Sequence, residues 1–230
     1  MEQPEISHIK TTRRARVAKL GVWGRHTKHI WIVLHGYRQL VPHFIRKFRD
    51  LASEEIGIIA PEGLSRFYLD GYYGRVGASW MTKEDRLIEI EDQIDYLDQV
   101  ILHVRELAMN PDLKIHMLGF SQGIATLWRW LLNTELKVHS AVFWTGRIPD
   151  EGRDEMRELL AGMDMAYVYA TDDQFVPTSF GEQQGEGLLQ DFPHLKVFRF
   201  DGKHDIHAET LLQVSATILG NDKNHRKGDE

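Results

Sequence analysis

The stretch Gly119-Phe120-Ser121-Gln122-Gly123 constrains what this chain can fold into more than any other. It lies between an apolar run, Ile115-His116-Met117-Leu118, and a helical pattern that begins at Gln122. A Gly-x-Ser-x-Gly turn between a strand and a helix forces its serine into a strained backbone conformation, tolerable only where the residues two positions to either side carry no Cβ. The hydroxyl then stands clear of the sheet, and the amide at the helix start, here that of Gln122, points to where an oxyanion would form. Gly and Ser at this spacing also occur by chance. The motif therefore gains meaning from its context: a strand before, a helix after, then an Asp and a His at the ends of later strands.

That context is present in the pattern of the chain. Ser7 to Leu20 alternates weakly and Gly21 to His29 reads as a turn, which predicts an opening hairpin. Ile30 to Leu34 and Ile56 to Ala60 are short apolar runs rich in β-branched residues, as expected of strands buried on both faces. A helix is expected from about Pro42 to Ala52, with Pro42 in its first turn. Leu64 to Thr82, carrying Phe67, Tyr68, Tyr72, Tyr73 and Trp80, reads as a long irregular loop that walls a site, because its aromatic load argues against disorder. The strongest helical pattern runs from Lys83 to Met109, with Thr82 and Asp85 as its capping pair and Asn110-Pro111 as its stop. Further strands are expected at Val138 to Trp144, Met165 to Ala170 and Leu195 to Phe200. Helices are expected from the elbow to Asn133, at Asp154 to Ala161, at Phe180 to Gln190 and at Asp205 to Leu219. Strands alternating with helices imply one α/β domain over residues 1–219, a mostly parallel sheet covered by helices on both faces without a large cap domain, followed by a mobile polar tail at 220–230. Ligands of such sheets bind outside the carboxyl ends of the strands.

Three chemistry-bearing residues fall at those ends: Ser121, an aspartate of the pair Asp172-Asp173, and His204. The order Ser, Asp, His is that of α/β hydrolases. In that chemistry the histidine takes the serine proton as the serine attacks an acyl carbonyl, and the aspartate fixes the imidazole tautomer. Asp172 and Asp173 are poorly separated by position. His207 competes with His204, but lies inside a helical pattern where a partly exposed surface histidine is the commoner outcome. By its place after the first buried strand, the amide of Tyr37 is the second oxyanion donor beside that of Gln122, whereas His35 suits structural hydrogen bonds beneath that loop. Trp80, Phe120, Trp144 and Phe175 are candidate pocket residues at strand ends, with ordinary core packing as the competing reading. Arg147, with Arg38, Arg66 and Arg75 on loops of the same rim, raises a preference for negatively charged substrates, against the simpler reading of solvated loop cations. The cluster His204-Asp205-Ile206-His207 lacks a third ligand or a His-Glu-x-x-His register, so no metal site is expected.

Together, Leu34-His35-Gly36, Trp80, Gly119 to Gly123, Gly146 to Pro149, Asp173 with Val176-Pro177, and Gly202 to His204 resemble the small carboxylesterase/phospholipase family, which includes the acyl-protein thioesterases. The resemblance spans nearly the whole chain from Trp31 onward. It implies Ser121, Asp173 and His204 as a catalytic triad, with Val176-Pro177 at the spacing that selects Asp173, and the amides of Tyr37 and Gln122 as the oxyanion hole. It implies a serine hydrolase of small to medium acyl esters or thioesters that works through an acyl-enzyme and needs no cofactor. The chain departs from the family pattern at Tyr37-Arg38-Gln39-Leu40, where a Gly and an Asp are usual, and at Lys203. Those departures bear on the substrate rather than on the machinery. A peptidase or carbon–carbon hydrolase using the same triad, and a non-catalytic binding module on the same fold, are the competing functions.

Composition narrows the partners. A net charge of -6 argues against a nucleic-acid binder, and the basic stretch Lys10 to Lys19 suits the charged face of an edge strand. With no cysteine, disulfides, thiolate metal sites and a cysteine nucleophile are excluded. No apolar run approaches a membrane span and the first residues lack the pattern of a signal peptide, which reads as a cytoplasmic protein acting on a small-molecule ester or thioester, with a homodimer left open.

Overall fold

The computed structural model describes residues 5–225, with side chains to Gly220. Nine strands and six α-helices are found among them: β1 (Val17–Leu20), β2 (His29–Leu34), α1 (Val41–Phe44), β3 (Ile56–Pro61), β4 (Ser65–Tyr68), β5 (Val76–Ser79), α2 (Arg86–Ala108), β6 (Lys114–Phe120), α3 (Gln122–Asn133), β7 (Ser140–Trp144), α4 (Arg153–Leu159), β8 (Asp164–Ala170), α5 (Thr178–Asp191), β9 (Lys196–Phe200) and α6 (Ala208–His225). Seven strands form one sheet in the order β1-β3-β2-β6-β7-β8-β9. Every pairing from β3 to β9 is parallel, and β1 alone is antiparallel.

The continuous apolar strands have the physical consequence expected of them. Along β2, Ile30, Ile32 and Leu34 pack into the core beneath α2 and α3, while Trp31 and Val33 pack with Val41, Phe44 and Phe48 on the other face. All five are fully buried, and burying one such side chain contributes about 1.5–3 kcal/mol. A polar residue at any of them would leave one layer without its cover. β2 and β6 are therefore interior strands whose carboxyl ends lie level, with Leu34 opposite Gly119.

Six expectations are corrected. β1 does not form a hairpin with β2; it pairs with β3 instead, at the edge of the sheet. Arg16, just before it, is not merely a solvated edge charge, because it makes a bidentate bond to the buried Glu62, at 2.9 and 2.7 Å. The segment after Pro42 is one α-helical turn followed by a 3-10 helix over Ile45–Leu51. Residues 64–82 are not irregular: β4 and β5 pair into a two-stranded antiparallel hairpin, Phe67 opposite Gly77. The alternation Arg66-Phe67-Tyr68 carried that signal but was masked by the glycines of the turn. Helix α2 begins at Arg86 behind Asp85 in a left-handed conformation, with no side-chain cap; Thr82 instead accepts a bond from the amide of Glu84. The last helix runs to His225, past its expected end at Leu219, and residues 226–230 of the expected tail lie outside the described residues.

Candidate active site

Ser121 follows β6 at φ 54°, ψ −115°, a region that costs a non-glycine residue about 1–3 kcal/mol. The surrounding structure holds it there. Its amide donates to the carbonyl of Trp144 at the end of β7, at 3.0 Å, and its carbonyl receives the amide of Ile124, at 3.0 Å, opening α3. The two glycines are required by backbone packing. A Cβ on Gly119 would lie 2.5 Å from the Gly123 carbonyl oxygen, and one on Gly123 would lie 2.4 Å from the Leu34 carbonyl oxygen. Gly123 thus presses the elbow against the end of β2, beside the loop that carries Tyr37. Among the described residues, the amides of Tyr37 and Gln122 donate to no internal acceptor.

Two further strand ends bring Asp173 and His204 together. His204 Nδ1 lies 2.6 Å from Asp173 Oδ2; a carboxylate only accepts, so Nδ1 carries the proton and Nε2 keeps a lone pair. Asp173 Oδ1 accepts the amides of Phe175 and Val176, at 2.8 and 3.0 Å, which fixes the carboxylate from behind. The Asp173 side chain has no exposure and that of His204 has 13%. The imidazole packs on Phe120, the residue before Ser121, with ring centroids 4.9 Å apart, and the edge of Phe175 covers it at 5.0 Å. Asp172 is exposed and tied through its amide to the Gly202 carbonyl. His207 bonds Thr210 and stacks on Phe200, which makes it part of the start of α6. Among the described residues no three His, Cys, Asp or Glu side chains form a metal-holding group.

His35 lies beneath the loop that carries Tyr37. Its Nδ1–H donates to the Gly36 carbonyl at 2.7 Å, and its Nε2 accepts the Gly63 amide at 2.9 Å. Burial pulls its pKa from 6.5 down to about 4, against smaller opposing effects of the Gly36 bond and Glu62, so it is neutral near pH 7. Trp80 stacks on it and donates its indole N–H to the His35 carbonyl, at 2.8 Å.

The pocket expectation needs correction for two residues. Trp80 and Trp144 are 1% and 0% exposed and present almost no surface to a ligand. Trp80 supports His35, and Trp144 donates to the carbonyl of Asp205, next to His204. Phe120 is also buried, but against His204, whereas Phe175 is 68% exposed over it. Arg147 is exposed and ion-paired to Asp150 at 2.6 Å, and Arg66 leans toward the buried Glu62. Arg38 and Arg75 line a cleft next to the loop that carries Tyr37.

Sequence reasoning missed what docks the β4–β5 hairpin. The Gln122 side chain accepts from the Trp80 amide at 3.1 Å and donates to the Met81 carbonyl at 2.9 Å and to Ser79 Oγ at 3.1 Å. The Arg38 amide donates to the Ala78 carbonyl at 2.9 Å, and Phe67 stacks on Tyr37 with centroids 5.3 Å apart. A Cβ on Gly77 would meet the Arg38 carbonyl oxygen at 2.6 Å, so the hairpin lies directly on the loop that carries Tyr37 and Arg38. The only available signal was a glycine inside a strand pattern, which marks close backbone approach.

No family model and no curated protein matches the chain in sequence. Solved structures do match. The esterase PE8 superposes with a TM-score of 0.66 at 19% identity, covering 90% of this chain and 99% of that one. Acyl-protein thioesterase 2 from Zea mays gives 0.67 at 19% identity with the same coverage. A phospholipase/carboxylesterase from Dyadobacter fermentans gives 0.59 at 17%, covering 91% and 99%. Likeness at such identities speaks to architecture, and over about nine-tenths of its length this chain has the α/β-hydrolase fold, shared with esterase and thioesterase structures of the kind its motifs resemble.

Proposed function

We propose that this protein is a serine hydrolase that cleaves carboxylic esters or thioesters of small to medium acyl groups. The observation that carries the reading is the strained Ser121 between backbone-packed glycines, at the sheet edge that also holds the Asp173–His204 pair. Strain of this kind persists only where the surroundings enforce it, and it clusters at working sites. Besides Ser121, two other non-glycine residues with positive φ, Arg38 and Thr145, follow strands at the same edge.

In the mechanism, Ser121 Oγ attacks the acyl carbon and its proton passes to His204 Nε2. Asp173 holds the resulting imidazolium in its tautomer and stabilises its charge. The amides of Tyr37 and Gln122 receive the oxyanion of the tetrahedral intermediate, each such donor supplying about 3 kcal/mol of transition-state stabilisation. Collapse expels the alcohol or thiol, which takes the proton from His204 and leaves an acyl-Ser121. Water, deprotonated by His204, then repeats the sequence and releases the carboxylic acid. No group beyond these side chains and amides is needed.

The test is labelling with a serine-directed fluorophosphonate alongside turnover of 4-nitrophenyl butyrate. Wild type should label and turn over, while Ser121→Ala should keep its far-UV circular dichroism and lose both, turnover falling by roughly a millionfold. Labelling retained in the variant would remove Ser121 from its role.

A further inference from the structure

Beside the proposed oxyanion loop lies a cleft of about 660 Å³, walled by the Arg38–Leu40 segment, by α1 with the following 3-10 helix, and by the β4–β5 hairpin with its turn. Its lining includes Arg38, His43, Arg46, Lys47 and Arg75 and, among the described residues, no carboxylate, although the chain as a whole carries a net charge of -6. Lys47 is engaged by Asp205 at 2.8 Å and Arg75 by Asp70 at 3.3 Å. Arg38 and Arg46 have no acidic partner among the described residues. Two unpaired guanidinium groups facing one concave space are a recognition element for a carboxylate or phosphate, because the planar fork bonds either through two parallel N–H donors.

The position of the cleft ties it to the reacting edge. Arg38 directly follows Tyr37 and is held at φ 70°, a conformation that places the side chain by backbone constraint. Phe44, on the inner wall, packs on Phe120 at 5.9 Å, and Phe120 packs on His204. The Lys47–Asp205 pair fixes the far wall to the residue after His204. The size is that of a small-molecule site. A nucleic-acid footprint would instead be a basic stripe along a face.

The geometry points to a substrate-binding subsite in which Arg38 and Arg46 take an anionic group, carboxylate or phosphate, carried by the ester whose carbonyl is presented to Ser121. This rests on the proposed hydrolase reading, and the test separates the two. Binding is measured by calorimetry on the Ser121→Ala protein, which needs no turnover. The ligands are two matched pairs: 4-nitrophenyl hydrogen glutarate against 4-nitrophenyl butyrate, and 1-butyrylglycerol 3-phosphate against 1-butyrylglycerol. At least one anionic member should bind tenfold or more tightly than its neutral match, and which pair responds distinguishes a carboxylate on the acyl side from a phosphate on the alcohol side. The preference should shrink between 50 and 300 mM salt, and fall fivefold or more on adding Arg46→Gln, or Arg38→Gln with Arg46→Gln. Arg46 is exposed on the 3-10 helix, so its single substitution guards against misfolding at the strained Arg38. Equal binding within both pairs, or a preference that survives both substitutions, overturns the subsite. If wild type fails to label with fluorophosphonate while Ser121→Ala still discriminates, the hydrolase reading falls and the anion site stands.

Discussion

Both ends of the central sheet place a histidine beside polar partners, and the two ends leave those histidines in different states. At the amino end, His116 Nδ1 lies 2.8 Å from Ser140 Oγ and its Nε2 lies 3.0 Å from His29 Nδ1. Both ring nitrogens are occupied, the ring is 1% exposed, and burial, with smaller contributions from His29, His139 and Lys114, holds its pKa well below 6.5. At the carboxyl end His204 spends only Nδ1, on Asp173, and keeps Nε2 and some exposure. Ser140 sits in a regular strand, whereas Ser121 is strained at the start of a helix whose first amides are unpaired. A serine–histidine contact alone is therefore not a site. The carboxylate, the open nitrogen and the waiting amides make the difference.

The sharpest way to break that comparison is Asp173→Asn. The amide can still receive the Phe175 and Val176 amides, so the fold should hold, but its NH2 group favours the wrong imidazole tautomer. The expected loss in kcat is about 10⁴-fold, read in 4-nitrophenyl butyrate turnover. A loss under tenfold would mean that the Asp173 contact does not distinguish His204 from His116.

A smaller effect should come from Gln122→Ala, which spares the amide and removes the side chain tying Ser79, Trp80 and Met81 to the elbow. The hairpin then loses one of its anchors on the oxyanion loop. A displacement of about 1 Å near the reacting atoms costs up to 10²-fold, so kcat/KM should fall roughly tenfold to a hundredfold. Chymotrypsin should also cut faster after Tyr72 and Tyr73, which are 86% and 96% exposed at the hairpin tip. Unchanged proteolysis with lowered activity would assign Gln122 a direct role instead.

These residues also show what the sequence makes legible. Buried parallel strands announce themselves as apolar runs, and their ends locate Ser121, Asp173 and His204 with no long-range information. Register does not announce itself in this way. β1 was free on sequence grounds to pair with its neighbour in the chain, and its place beside β3 is reinforced by Arg16 finding Glu62, a contact 46 residues apart. The aromatic residues misled for a related reason. Trp80 and Phe175 look alike as strand-end aromatics, yet one is a buried support for His35 and the other covers His204. The cationic cleft was only partly visible, because Arg46 and Lys47 come from a helix and Arg75 from the hairpin, and only the docking of that hairpin unites them.

The mildest perturbation tests the inert end of the sheet. Ser140→Ala leaves a buried imidazole nitrogen without its partner, which should cost about 1–3 kcal/mol in urea unfolding at pH 7.5, while turnover stays within about twofold of wild type. Acid should then act through the neutral histidines. A histidine whose folded pKa is depressed contributes stability that is fully present above its unfolded value near 6.5 and is lost as the pH falls, because the unfolded chain takes the proton first. His35, held at about 4, accounts by itself for a loss growing to roughly 3 kcal/mol by pH 4, and His116 adds to it in the same direction. Stability measured from pH 7.5 to 5 should therefore decline in both wild type and Ser140→Ala. Stability that rises on acidification would show that His35 and His116 are not held neutral by burial, and a Ser140→Ala enzyme without turnover would show that the amino end of the sheet is coupled to the chemistry.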